Sequence, residues 1–390
     1  MTSSIMPTYN RKPVSFAKGD GVYLYDKDGK EYLDALCGLA VTSLGHSHPM
    51  ISETIENQAK RLIHTSNAFL IDKQEKLAKR LCQLTGMENA FFCNSGAESV
   101  EAAIKIARKY GHDRGHESPK IIVMSNSFHG RTMGAMSVTS NTLSHQAFGP
   151  ILDGLIRVKF NDIEELISVV NNNSDITAIL LETIQGEGGI ISCTKEYIQK
   201  IYELCKENEI LFMADEVQSG FCRTGRWFSY QHFNVMPDVV MVAKALGNGV
   251  PIGACLARGE AAKVLKAGMH GSTFGGNFLS TSVGLCILDI MRDTHLCAHV
   301  IEISKTMRDE MDKKLNNLKS VSDIRIFGMM IGIELNVKCT DLVVKALEKG
   351  LVINVTKEKI IRLLPPLICE EKHILLIVDK IKQLIEENYE

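Results

Sequence analysis

The run Val239-Val240-Met241-Val242-Ala243 ends in Lys244 and passes within two residues into Gly247-Asn248-Gly249. A short, unbroken apolar run of this kind reads as a strand buried on both faces, as in a parallel sheet lying between helices. A lysine at the end of such a strand is costly to keep charged. Its pKa shifts readily, and lysines so placed form Schiff bases. A second run, Ile210-Leu211-Phe212-Met213-Ala214, ends in Asp215. Groups just past the carboxyl ends of strands in an α/β sheet line the ligand crevice, so Lys244 and Asp215 are expected to face one crevice.

Working outward, strand and helix patterns alternate from Pro49 to about residue 285. Strands are expected at Asn89–Cys93, Lys120–Met124, Ala178–Leu181, Ile210–Ala214, Val239–Ala243 and Gly253–Leu256. Helices are expected between most of them, as at Ile51–Ile63, Glu98–Tyr110 and Lys195–Glu207. The alternation predicts an α/β fold with a mostly parallel sheet covered by helices on both faces. The first ~45 residues read as short strands and turns. Within them, Gly21–Asp26 and Glu31–Asp34 flank the turn Lys27-Asp28-Gly29-Lys30. After Gly284 a long helical stretch runs to about Leu318. Short strands follow around Ser322–Phe327, Met330–Glu334 and Ile360–Leu363, with helices at Asp341–Lys349 and Glu370–Asn388. The expected division is an N-terminal segment 1–48, a large domain 49–285 and a smaller α+β domain completed by 286–390.

The chain has 390 residues, 45% hydrophobic and 23% charged, with a net charge of −2. That balance suits a globular enzyme-sized protein and gives no global field for nucleic acid or an anionic membrane. The eleven cysteines are dispersed and form no C-x-x-C pair, so neither a zinc site nor a disulfide framework is expected, in keeping with a reducing cytosol. The opening Met1-Thr2-Ser3-Ser4-Ile5-Met6-Pro7 lacks the pattern of a signal peptide. The expected location is the cytoplasm.

Other segments sit at strand ends. Ser95-Gly96-Ala97-Glu98 opens a helix whose first-turn amides can hold a phosphate, although alone it also fits an ordinary serine cap. Phe128 can stack on a flat ring and Arg131 can grip a carboxylate, or they can be a core aromatic and a surface arginine. Glu182 and Glu187 flank a glycine-rich segment that can equally be a solvated loop. Asp215 also fits a helix cap, Gln218 lies just beyond it, and Lys244 also fits a snorkelling lysine. Ser272 and Thr273 sit in a glycine-rich turn able to nest a phosphate. His46-Ser47-His48 has the spacing of a metal pair but no companion ligands, so a turn is expected and no metal site. Jointly these segments supply what pyridoxal phosphate (PLP) needs: a lysine for the aldehyde and a carboxylate for the pyridinium nitrogen.

The set resembles the class III (ornithine-type) aminotransferases of PLP fold type I. The resemblance runs from Pro7-Thr8-Tyr9-Asn10-Arg11 and Leu44-Gly45-His46-Ser47-His48-Pro49 to Arg362-Leu363-Leu364-Pro365-Pro366. It implies a large domain with a seven-stranded, mostly parallel sheet and a small domain built from both chain ends. It implies Lys244 as the Schiff-base lysine and proton shuttle, Asp215 on the pyridine nitrogen, Gln218 on the ring hydroxyl and Phe128 on the ring face. Ser95, Gly96 and Ala97 would cradle the phosphate, joined by Thr273 of a neighbouring subunit in a homodimer. Arg131, Arg362 and Ser272 would bind substrate, and Glu187 would cover Arg362 when the other substrate is present. The implied reaction moves an amino group from N-acetylornithine to 2-oxoglutarate, as in arginine biosynthesis. Ornithine, succinylornithine, succinyldiaminopimelate and 4-aminobutyrate are the competing donors. The sequence departs from the family's usual pattern at Thr183, Asn248 and Phe278, which leaves donor preference open.

Other classes fit less well. Gly247-Asn248-Gly249 with Gly253 has the wrong spacing for a dinucleotide fingerprint and leads into a strand. A PLP-binding regulator needs a DNA-binding module, and no basic helix-turn-helix segment precedes residue 50.

Overall fold

The computed structural model describes residues 4–390, so Met1, Thr2 and Ser3 of the leader reading lie outside the described residues. Seven strands form the central sheet: β1 (Asn89–Cys93), β2 (Lys120–Met124), β3 (Leu155–Val158), β4 (Ile176–Leu181), β5 (Leu211–Asp215), β6 (Val239–Val242) and β7 (Gly253–Ala257). Their spatial order is β1-β7-β6-β5-β4-β2-β3. All neighbours are parallel except at β7, which runs against both β6 and β1.

The apolar runs account for this layering. Every residue of β4 to β7 is buried, so both faces of the sheet must be covered. Alternate residues divide between two cores. Ile122, Ile179, Phe212 and Val240 pack with Tyr197 and Ile201 of the helix Lys195–Glu207. Ile121, Leu180, Met213 and Met241 pack with Val100, Ile104 and Ala107 of the helix Gly96–Asp113.

The two chain ends meet. Strands Phe16–Asp20, Tyr23–Asp26 and Glu31–Asp34 form one sheet with Leu351–Val352, which pairs in parallel with Glu31–Asp34. A second four-stranded sheet holds Val321–Phe327, Met330–Leu335, Ile360–Leu363 and Asn354–Thr356, all antiparallel. Helices Leu296–Leu315 and Glu371–Tyr389 bury Met307, Met311, Ile377 and Ile381 in the adjoining core.

Several expected boundaries move. The long helical stretch is two helices, Phe278–Asp293 and Leu296–Leu315, because His295 adopts a left-handed conformation (φ 50°) that no right-handed helix can contain. The helix expected over Ile51–Ile63 runs from Pro49 to Ala59. The strand β3 carried no usable pattern: of Leu-Ile-Arg-Val only Val158 is fully buried. The N-terminal strand-and-turn region also contains an unforeseen turn, in which Cys37, Gly38, Leu39 and Ala40 all have positive φ (40°, 65°, 68° and 64°).

Phe212 is fully buried at the centre of the sheet. Phe212→Ala should destabilise the protein by about 3–5 kcal/mol, read as a fall in the urea midpoint. An unchanged midpoint would contradict the packing described.

Candidate active site

Five strands end at one edge of the sheet, and each delivers chemistry there. Past β1 come Asn94, Ser95, Gly96 and Ala97; past β2, Phe128 to Arg131; past β4, Glu182. Asp215 closes β5, and Lys244 follows β6. These residues line one cleft of about 380 Å³, with Val217 and Gln218 beyond β5. The reversal of β7 brings its first residue to the same edge, where Gly253 pairs with Cys93. Val250, Pro251 and Ile252 lead into that strand and, with Val41, give the cleft an apolar wall.

Lys244 starts a single tight turn, Lys244–Leu246, with a positive φ of 44°. That conformation is uncommon for a side chain of this size and is held by the packed strand before it. Burial, and then the positive charge of Arg362, push its ammonium below the ordinary lysine range, while Asp215, Glu187 and Glu182 pull the other way. Asp215 is 4% exposed. Its Oδ1 accepts the Val217 amide at 3.0 Å, and its Oδ2 lies 2.7 Å from His129 Nδ1. The His129 amide in turn donates to Thr139 Oγ1 at 2.8 Å, which fixes the ring beneath Asp215.

Glu182 is buried, not solvated as a loop reading of its segment allowed. Its carboxylate accepts the Phe128 amide at 3.1 Å and the Gly186 amide at 3.2 Å. Burial raises its pKa to about 7. Ser95 caps the helix Gly96–Asp113 by accepting the Glu98 amide at 3.2 Å, which leaves the amides of Gly96 and Ala97 at the positive end of the helix. A Cβ on Gly96 would lie 2.7 Å from Val217 Cγ1, so only glycine lets the two segments close around that point.

The other expected residues lie around this centre. Arg131 is exposed at the rim, its guanidinium 5.3 Å from the centroid of the Phe128 ring. Arg362 is 1% exposed and forms an ion pair with Glu187 at 2.7 Å, its second nitrogen donating to Asn354 at 2.8 Å. Ser272 accepts from Asn94 at 3.0 Å, which ties the 270s turn to the helix start. Thr273 is exposed and does not line this chain's cleft. His46 lies 2.8 Å from Asp34, which explains that histidine without a metal. His129, Glu182, Asn94 and Val41 had not been singled out for the cleft. Only the strand-end rule could have suggested the first three, and nothing local pointed to Val41.

The Aminotransferase class-III family model matches residues 5–385. An acetylornithine aminotransferase from Nitrosomonas europaea is 49% identical over 98% of both chains, and one from Aquifex aeolicus is 44% identical over 98% of this chain and 99% of its own. Among solved structures, the ornithine aminotransferase of Toxoplasma gondii superposes with a TM-score of 0.94 at 31% identity, covering 98% of this chain and 93% of that one. The acetylornithine aminotransferase of Elizabethkingia anophelis gives 0.88 at 34% identity, covering 98% and 96%. The chain belongs to the class III aminotransferases.

That family depends on pyridoxal phosphate, and the cleft fits it. A glycine-floored helix start can take the phosphate. The Gln218 side-chain oxygen and His129 Nε2 are buried without partners among the described residues, as expected around a polar ring.

Glu182 supplies a pH test. A carboxyl whose folded pKa is raised, here from 4.5 to about 7, stabilises the fold fully at low pH and loses that contribution as pH rises through this window. Glu182→Gln removes the slope. The stability of the variant relative to the parent, measured by chemical denaturation of the cofactor-free protein, should therefore rise between about pH 5 and about pH 8. A difference independent of pH would refute the shift.

Proposed function

We propose that this class III aminotransferase transfers the terminal amino group of N-acetylornithine to 2-oxoglutarate, giving N-acetylglutamate 5-semialdehyde and glutamate, a step of arginine biosynthesis. The observation that carries the reading is the buried Arg362 covered by the half-exposed Glu187. An enzyme of this kind must first take a donor by its ω-amine and then glutamate by its α-amine. A permanently bare arginine would draw in the α-carboxylate of the donor and present its acylated α-nitrogen, which cannot react, in place of the ω-amine. Glu187 neutralises it for the first substrate and, being the more exposed partner, is free to swing aside for the second. Relatives named for this reaction at 44–49% identity support the same choice.

When bound, pyridoxal phosphate supplies an aldehyde for the amine and an electron-accepting ring that acidifies the adjacent C–H bond. Lys244 would hold the aldehyde carbon, Asp215 the ring nitrogen, Gln218 the ring hydroxyl and Phe128 the ring face. The phosphate falls to Ser95, Gly96 and Ala97, with Thr273 of a second copy. Lys244 Nζ, whose charged form burial disfavours, would take the proton from the donor's amine-bearing carbon and return it one position away. His129 holds Asp215 in place at 2.7 Å. Arg131, at the rim beside Phe128, receives a substrate carboxylate, and Ser272 borders the same region through Asn94.

A homodimer accounts for the exposure of Thr273 together with apolar Phe274 (60%), Phe69 (70%) and Leu70 (92%), a surface unlike that of a solvated loop. We assign the described residues 4–48, with 286–390, to a small domain beside a large domain 49–285. We place the enzyme in the cytoplasm; among the described residues no helix is long and apolar enough to cross a membrane.

Two measurements test the reading. With 2-oxoglutarate as acceptor, N-acetylornithine should show the highest kcat/KM among N-acetylornithine, ornithine, succinylornithine, succinyldiaminopimelate and 4-aminobutyrate. Preference for another donor by more than about tenfold, a free-energy gap of about 1.4 kcal/mol, would replace the proposed substrate. Lys244→Ala should lower kcat by at least about 10⁴-fold, since it removes both the anchor and the proton carrier. A variant with parental kcat would remove Lys244 from the mechanism.

A further inference from the structure

Asn248 stands four residues past Lys244, in the same loop, with a positive φ of 44°. It is one of the three positions, with Thr183 and Phe278, at which the resemblance drawn from the sequence is incomplete. Its side chain does not turn to solvent. The Asn248 Oδ1 accepts the Leu44 amide at 2.8 Å, and its Nδ2 donates to the Gly45 carbonyl at 3.1 Å. Both partners lie some two hundred residues earlier in the chain. One carboxamide therefore satisfies a backbone donor and a backbone acceptor of a distant segment, as a strand neighbour would.

The clamped segment is strained, although its own backbone bonds, such as the Val41 amide to the Cys37 carbonyl at 2.8 Å, help to close it. It begins with the four consecutive left-handed residues Cys37 to Ala40, three of which carry side chains. Each such residue costs roughly 1–2 kcal/mol relative to ordinary backbone, so the turn persists only where its surroundings impose it. Asp34 holds its entrance, accepting the Leu36 and Cys37 amides at 2.9 and 2.8 Å. The buried Arg223 holds its middle, donating to Ser43 at 2.9 Å. Asn248 holds its exit. Between these anchors lies Val41, which lines the cleft together with the apolar Val250, Pro251 and Ile252. Gly249, next to Asn248, faces Thr42 of the same segment; a Cβ there would sit 3.8 Å from the threonine methyl.

We propose that Asn248 is a positioning residue for the amino donor. Its carboxamide joins the exit of the strained turn to the loop that carries Lys244, and so fixes Val41 at the distance from Lys244 that a donor's methylene chain requires. The amine must reach Lys244 while the chain behind it packs on the apolar wall. Both ends of that span are set by segments that meet at Asn248. The inference rests on the transaminase reading for its substrate, but the clamp itself is measurable without substrate.

The test is Asn248→Gly in the full-length holoenzyme. Glycine adopts φ 44° without strain, so the loop itself has no reason to collapse. Amide hydrogen exchange, followed by mass spectrometry without substrate, should show lost protection of peptides containing Leu44, while peptides from β5 and β6 keep theirs. In steady-state assays the donor KM should rise roughly three- to tenfold, as expected for the loss of a pair of hydrogen bonds, with a much smaller change in kcat, the signature of lost uniform binding. Asn248→Asp retains the acceptor for Leu44 but loses the donor to Gly45, and its KM should fall between the two. Parental protection at Leu44 would overturn the clamp. Lost protection with a parental donor KM, or a loss confined to kcat, would overturn the positioning role. If the parent enzyme turns over none of the five donors, the transaminase reading fails, and the exchange result alone decides whether Asn248 clamps the turn.

Discussion

Lys244 has to be dry enough to lose its proton and still lie among groups that would restore it. Three carboxylates, Asp215, Glu187 and Glu182, favour its charged form; burial and Arg362 oppose them and prevail. The balance depends on how each carboxylate is already engaged. Asp215 is held by His129 and the Val217 amide, Glu182 by two amides, and Glu187 by Arg362. Each of these three carboxylates is thus engaged with a partner other than the lysine. The sheet edge, the glycine at position 96 and the Arg362–Glu187 ion pair all serve this arrangement. Moving any strand end by one residue would turn its group to the other face of the sheet.

Much of this was legible in the sequence because it depends on local pattern. Apolar runs of five residues marked β5 and β6, and a charged residue at the end of each marked the crevice. Glu182 was legible only as an acid after a strand; its burial follows from the amides of Phe128 and Gly186, which come from two different loops. Val41 and Asn248 were not legible as a pair, since nothing in either neighbourhood names the other. The break at His295 depends on one left-handed residue inside an otherwise continuous helical pattern, and periodicity is blind to a single dihedral angle. The edge strand β3 escaped because an edge needs little burial and so leaves little pattern.

Arg223 shows how far the centre reaches. It is fully buried without a carboxylate partner, and it donates to the Met329 and Pro365 carbonyls as well as to Ser43. One guanidinium thus holds together the loop after β5, the turn beside the cleft and the segment just past Arg362. Carbonyl oxygens carry partial negative charge, so two of them, with the Ser43 hydroxyl, can replace a single anion while tying three segments to one guanidinium. The two arginines occupy the same junction with opposite freedoms: Arg223 is locked to main chain, and Arg362 is paired to a side chain able to leave.

Leu33 pairs in parallel with Leu351, so the first sheet of the chain is finished only by some of its last residues. On the ribosome, the opening strands emerge long before their partner exists. They must wait as an unpaired edge while the seven-stranded sheet assembles behind them, and contacts so distant in sequence form slowly. Chaperone binding during synthesis would therefore be expected to concentrate on the amino-terminal hairpin, and a nascent chain released before residue 351 would carry that edge exposed.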